Sequence, residues 1–311
     1  MRIVIALGGN AMTSSDGRAR PEDQAAAVAA AAEPVADLVV AGHEVLLTHG
    51  NGPQVGNLLL KNELAAAVVP PVPLDWCGAQ TQATIGALLL SALDAALQRR
   101  GSARRTAVLV SRTLVAGDDP GFAEPTKPIG RYLPEDEARL MIEHGQHFVE
   151  VPDRGWRRVV ASPEPLECLD GPAADTLLAQ GYLVVCSGGG GIPTVRHDDG
   201  TLHGIEAVID KDLTAALIAT HTRADVLVIA TDVDSAVTDW GTSYAKPIGE
   251  VTAAEMRSIA HDQGFAAGSM GPKVEAVTRF AEQGDGTGII TSLGRIAQAI
   301  EGHLGTRVVR G

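Results

Sequence analysis

The sequence predicts an α/β fold: a mainly parallel sheet with helices covering both faces. Short runs of β-branched and aliphatic residues alternate with longer Ala/Leu-rich stretches of helical length. The short runs are apolar at nearly every position, and such strands are buried on both faces under crossover helices. Several of these runs also end in a glycine-containing loop: LGGN, THGNGP and CSGGGG, with TDVD as a glycine-free counterpart. In open α/β sheets ligands bind beyond the carboxyl ends of the strands, so these loops are expected to converge on one site.

In chain order, β-branched runs place strands at 2–7, 44–48, 106–111, 182–186, 226–230, 288–291 and 306–309. The Ala/Leu-rich stretches between them place helices at 21–41, 53–67, 76–100, 134–144, 211–222, 252–263, 272–283 and 293–304. The segment 116–165 breaks this rhythm with DDPG, EPTKPIG, VPDRGWRR and SPEP around one central helix. Proline and glycine at that density mark an excursion from the main sheet rather than another βα unit. The chain is expected to be a single domain over 1–311, with 116–165 protruding from it.

Composition narrows the function classes. Acidic residues outnumber basic ones by 38 to 25, for a net charge of −13, which argues against a protein that coats nucleic acid. Cys77, Cys168 and Cys186 form no CxxC pair, so neither a disulfide framework nor a zinc site is expected. The first residues already read as a strand, so no signal peptide is expected and the location is expected to be cytoplasmic. The uncharged stretch 76–93 holds Gln80, Thr81, Gln82, Thr84 and Ser91, which suits a buried or interface helix better than a membrane span.

Generic nucleotide fingerprints are absent. No Gly-Lys dipeptide occurs, so there is no Walker A loop, and GGGGIP has proline where a dinucleotide fingerprint needs glycine. LGGN and HGNGPQVGN are more informative as a pair. Each sets Gly and Asn directly after a strand, and the second runs into a helix whose first N–H groups favour an anion. His49, at a strand end, reads as a structural hydrogen-bonding residue rather than an acid or base. His144 and His147 have no further ligand nearby and read as solvated rather than as a metal site.

The lysines are the sharpest signal. Only Lys61, Lys127, Lys211, Lys246 and Lys273 occur, and four of them sit in PTKPIG, VIDKDLT, AKPIG and GSMGPKVEA. Compact ammonium groups are therefore wanted at particular points. Asp210 and Asp212 flank Lys211, where they could orient it or cap a helix. Glycine loops, helix starts and several lysines, with no serine or cysteine nucleophile elbow, suit phosphoryl transfer by positioning and charge neutralisation.

Through IALGGNA, THGNGPQVGNLLL, PLD, PTKPIG, RGWRRVV, SPEP, GGGGIP, GIEAVIDKDL and FAAGSMGPKVEA, nearly the whole chain resembles the carbamate kinases of the amino acid kinase family. The resemblance implies a three-layer αβα sandwich with a central, mostly parallel eight-stranded sheet, a small protruding subdomain, and a homodimer. It implies a phosphotransferase that moves a phosphoryl group reversibly between ATP and carbamate, giving ADP and carbamoyl phosphate. Mg²⁺ would be held by nucleotide phosphates and water, with no protein metal ligands. Lys127 would reach the transferring group from the excursion, Lys211 would bridge the outer phosphates, and Asp210 would hold the lysines. Gly8, Gly9, Asn10, Gly50, Asn51, Gly52 and the glycines Gly188, Gly189, Gly190 and Gly191 would surround the phosphoryl end. The backbone amides of this last run would press against the reacting group. Thr231, Asp232 and Val233 would line the nucleoside, and Met270, Gly271 and Lys273 would meet the nucleotide phosphates. Where the family often has tyrosine near the base, this chain offers Trp240 and Tyr244, and the sequence leaves both open. Arginine metabolism, purine breakdown and carbamoyl phosphate supply are pathways such an enzyme could serve. The rival readings are another acid kinase of the same fold and a non-catalytic nucleotide sensor.

Overall fold

The structure, a computed structural model, describes residues 1–8, 20–265 and 269–311. Eight strands form the central sheet in the order Glu250–Thr252, Thr306–Val309, Thr287–Ser292, Val226–Thr231, Arg2–Leu7, Glu44–His49, Leu183–Val185 and Thr106–Val108. All neighbours are parallel except Thr287–Ser292 against Thr306–Val309, where Ile289 faces Arg307. The fold is therefore a three-layer α/β sandwich.

Side-chain alternation along the strands builds the layers. Ile3, Ile5 and Leu7 point to one face, where Val28, Ala32 and Val35 of helix Pro21–Val40 and Ile85, Leu89 and Leu93 of helix Leu74–Arg99 cover them. Val4 and Ala6 point to the other face, against Leu178, Ala215, Ile218, Val277 and Phe280 of helices Gly171–Ala179, Lys211–His221 and Met270–Gln283. Both sets of strand residues are fully buried. That two-sided burial is why the strands read as continuous apolar runs.

Several expected boundaries shift. Strand Glu250–Thr252 completes the sheet although its three residues are too few to show a pattern. Helix Gly171–Ala179 is also additional. The expected helix 293–304 is a 3₁₀ turn, Leu293–Arg295, followed by the short helix Ile296–Ile300.

Within the excursion, strands Lys127–Leu133, Gly155–Val160 and His147–Val151 form a separate antiparallel sheet backed by helix Glu135–Glu143. This lobe stands on a stem. The chain entering it, Arg112–Leu114, pairs with the chain leaving it, Glu167–Cys168, through Thr113 opposite Cys168 and Leu114 opposite Glu167. The three cysteines are buried and unbridged. Among the described residues no helix is long and apolar enough to cross a membrane.

Candidate active site

Four neighbouring parallel strands bring their carboxyl ends to one edge of the sheet. Leu7 is in register with His49 and with Ala230, and Leu47 with Val185. The loops that follow Glu44–His49, Leu183–Val185 and Val226–Thr231 border two adjoining cavities. The smaller, about 220 Å³, is lined by Gly50, Asn51, Gly52, Lys127, Gly189, Asp210, Lys211, Asp212 and Lys273. The larger, about 570 Å³, is lined by Thr231, Asp232, Val233, Trp240, Phe265, Met270 and Lys273. Ser269 and Lys273 border both, so the two cavities form one continuous cleft.

Three lysines from distant parts of the chain meet at the smaller cavity. Lys127 Nζ lies 2.6 Å from Asp210 Oδ2. The other oxygen of Asp210 accepts the backbone N–H of Asp212 at 2.8 Å and so caps helix Lys211–His221. Lys211 hydrogen-bonds to Asp212 Oδ1, and Lys273 Nζ lies 3.0 Å from Asp212 Oδ2. The two aspartates thus divide the lysines between them. Asp210 hydrogen-bonds to Lys127, while Asp212 binds Lys211 and Lys273. The side chain of Asp210 is turned to the lobe because its inner oxygen is spent on the helix cap.

Burial shapes the charges here. It pushes the Lys211 ammonium below its ordinary value; Asp212 opposes that shift, and Lys273 adds to it. Burial alone would raise the Asp212 carboxyl, but Lys211 and Lys273 overcome it and hold Asp212 well below the usual carboxylate range. His49 is fully buried with Nδ1 3.0 Å from the Gly50 carbonyl oxygen, and burial pushes it down to about 4. It is a neutral structural group, as its strand-end position suggested.

Protein packs closely against the glycine run. A Cβ on Gly188 would lie 2.3 Å from His49 Nε2, and one on Gly189 would lie 2.1 Å from Asn51 Nδ2. One on Gly190 would meet the Ile209 carbonyl oxygen at 2.6 Å, and one on Gly191 the Thr113 hydroxyl at 2.1 Å. Gly189, Gly190 and Gly191 also have φ of +66°, +91° and +87°, a region other residues seldom adopt. Gly188, Gly189 and Gly190 are all buried, and of the four glycines Gly189 borders the smaller cavity.

Side chains without an expected role, Gln82 and Thr113 among them, hold this loop. Gln82, buried in helix Leu74–Arg99, donates to the Gly188 carbonyl at 3.0 Å and accepts the Ser111 N–H at 2.8 Å. Thr113 donates to the Gly190 carbonyl at 2.8 Å. Asn51 in turn donates to Thr81 at 2.9 Å. For Gln82 the available signal was a polar residue inside a mostly apolar helix.

The remaining expected residues fall as follows. Gly50, Asn51 and Gly52 line the smaller cavity, at the start of helix Gly52–Ala65, which no side chain caps. Gly8 extends the first strand, its N–H bonded to Ala230 at 3.0 Å, and does not border either cavity. Gly9 and Asn10 lie outside the described residues. Thr231, Asp232, Val233, Trp240 and Met270 line the larger cavity, whereas Gly271 and Tyr244 do not. Phe265, half-buried at the same cavity, was not anticipated. Among the described residues no group of three or more His, Cys, Asp or Glu could hold a metal ion.

Residues 1–292 match the amino acid kinase family. The chain is 42% identical to the carbamate kinase of Thermococcus kodakarensis over 313 residues, covering 99% of both chains. It is also 42% identical to the carbamate kinase of Staphylococcus haemolyticus, again over 99% of both. The solved carbamate kinase from Giardia lamblia bound to AMP-PNP superposes with a TM-score of 0.93 at 39% identity, covering 100% of this chain and 98% of that one. The chain belongs to the amino acid kinase family, and within that family its similarity is to the carbamate kinases.

Proposed function

We propose that this protein transfers a phosphoryl group reversibly between ATP and carbamate, with ADP and carbamoyl phosphate on the other side of the equilibrium. The observation that carries the reading is the convergence of Lys127, Lys211 and Lys273 on one small cavity that opens into a larger one. The relatives named carbamate kinase along the full length of the chain support the choice of substrate.

In this reading the nucleoside occupies the larger cavity, between Trp240 and the Thr231, Asp232, Val233 segment. Its phosphates run past Lys273 at the junction towards Lys211. Carbamate sits at the far side, near Asn51, Gly52 and Gly189, where the start of helix Gly52–Ala65 favours an anion. Lys127 reaches the transferring group from the lobe. The chemical difficulty is bringing an anion to a polyanion, and lysines already held by aspartates neutralise the charge without reorganising during the reaction. Carbamate arrives with a nucleophilic anionic oxygen, so no general base is required. The neutral, buried His49 agrees with that. Mg²⁺ would enter with the nucleotide and be held by phosphate oxygens and water, while Asp210 and Asp212 stay engaged by the lysines.

The chain acts as one domain, with 116–165 as a lobe that closes over the smaller cavity. A homodimer in the cytoplasm completes the reading. Exposed Leu64, Val68, Val69 and Trp76 on and beside helices Gly52–Ala65 and Leu74–Arg99 supply apolar surface for self-association. The deciding experiment is coupled detection of ATP formed from carbamoyl phosphate and MgADP. Turnover with an acyl phosphate of a small carboxylate, and none with carbamoyl phosphate, would replace this reading by another acid kinase.

A further inference from the structure

Gly56 of HGNGPQVGN and Gly130 of PTKPIG are used by neither the chemistry nor the main fold, yet they touch where the lobe meets the body. A Cβ on Gly56 would lie 2.5 Å from Gly130 Cα and 2.8 Å from its nitrogen. The obstacle is backbone, so no change of rotamer relieves it. Gly56 stands inside helix Gly52–Ala65, where alanine would ordinarily be preferred. Gly130 reaches the helix because its strand is irregular. Pairing with Gly155–Val160 passes from Ile129 opposite Arg158 directly to Tyr132 opposite Arg157, which leaves Gly130 and Arg131 in a bulge. Gly130 has φ +68° there, and a bulge with a left-handed glycine re-aims the strand.

The contact is flanked on both sides. Buried Ile129 packs with Val55 in a small core of its own, and Arg158 pairs with Glu63 at 3.2 Å. The same two elements reach the smaller cavity a turn away, one through Gly52 and the other through Lys127.

We propose that Gly56 and Gly130 form a side-chain-free seat on which the lobe closes, and that they are positioning residues for Lys127. The proposal rests on the role in phosphoryl transfer given to Lys127 above. The separation between helix and lobe strand at this seat sets how far the Lys127 ammonium extends into the cavity. One methyl group on the helix lifts the strand, and the ammonium withdraws with it.

The test is Gly56→Ala in the full chain, with kinetics and amide hydrogen exchange measured together. Turnover of carbamoyl phosphate with MgADP is expected to fall by roughly 10²-fold, the cost of about an ångström of misplacement. KM for MgADP is expected to stay within about threefold, because the larger cavity is untouched. Amides of Lys127–Leu133 should exchange faster while those of Val226–Thr231 do not, and the melting temperature should hold or rise. Full turnover with unaltered exchange overturns the proposal, and so does faster exchange with full turnover. A collapse of the melting temperature also overturns it, because the contact would then be a determinant of the whole fold. If the unmutated protein itself shows no turnover, the functional reading fails, and hydrogen exchange alone still decides whether the seat holds the lobe.

Discussion

Lys273 Nζ lies 3.0 Å from Asp212 Oδ2, a contact across 61 residues that joins the first turns of two helices. Because Asp212 also binds Lys211 and is almost wholly buried, one carboxylate fixes both cations that would meet the nucleotide phosphates. Removing it should affect both lysines at once.

Asp212→Asn is expected to lower kcat on the order of 10²–10³-fold, comparable to the loss of a preorganised electrostatic group. It should also change the pH profile. Burial already lowers the Lys211 pKa, and Asp212 opposes that shift. Without the carboxylate the pKa falls further. Activity needs the charged ammonium, so it persists below that pKa and is lost as pH rises through it. The alkaline limb of kcat should therefore move to lower pH. A variant whose alkaline limb stays in place would show that Asp212 does not support the Lys211 charge.

Lys127→Ala should depress kcat by about 10²–10³-fold while ADP affinity and melting temperature stay nearly constant, because in the proposed reaction the side chain would act from the lobe on the transferring group alone. Lys127→Arg should restore only part of the rate, since a planar guanidinium does not replace a compact ammonium 2.6 Å from Asp210. Rapid-quench and calorimetric measurements on the same preparations separate the two effects.

Trp240 lines the larger cavity and is 74% exposed, so its ring is accessible for stacking on a base. Tyr244 is equally exposed but does not border the cavity. Trp240→Ala should weaken ADP binding by about 1 kcal/mol, roughly fivefold, and Tyr244→Ala should leave it unchanged. Titration calorimetry giving the opposite order would move the base to the Tyr244 side.

Gly189→Ala combines a φ of +66° with a Cβ set against the Asn51 amide at 2.1 Å. The variant is expected to lose about 1–3 kcal/mol of stability from backbone strain, with the Asn51 to Thr81 hydrogen bond displaced as well. Urea denaturation monitored by circular dichroism measures the loss. Stability within error of the parent would mean that the loop relaxes without strain.

The sequence by itself determined the layers and the neighbourhood of the site. Strands such as RIVIAL and VLVIAT are apolar on both faces, and only a covered parallel sheet buries both. The loops after those strands had to share an edge, because parallel neighbours end on the same side. The scarcity of lysine singled out Lys127, Lys211, Lys246 and Lys273; three of them line the smaller cavity, while Lys246 is exposed on the short strand Lys246–Pro247.

Tertiary structure alone decided which aspartate holds which lysine, because Lys127 and Asp210 are 83 residues apart and local sequence does not direct a side chain across the cleft. It also decided what fills the space beside the glycines. A glycine marks a close approach without naming the group that approaches, and here protein groups that approach include His49, Asn51, Ile209 and Thr113. Gly56 and Gly130 show the same limit: each is a small residue in its own segment, and only the meeting of helix and bulged strand makes the pair a contact.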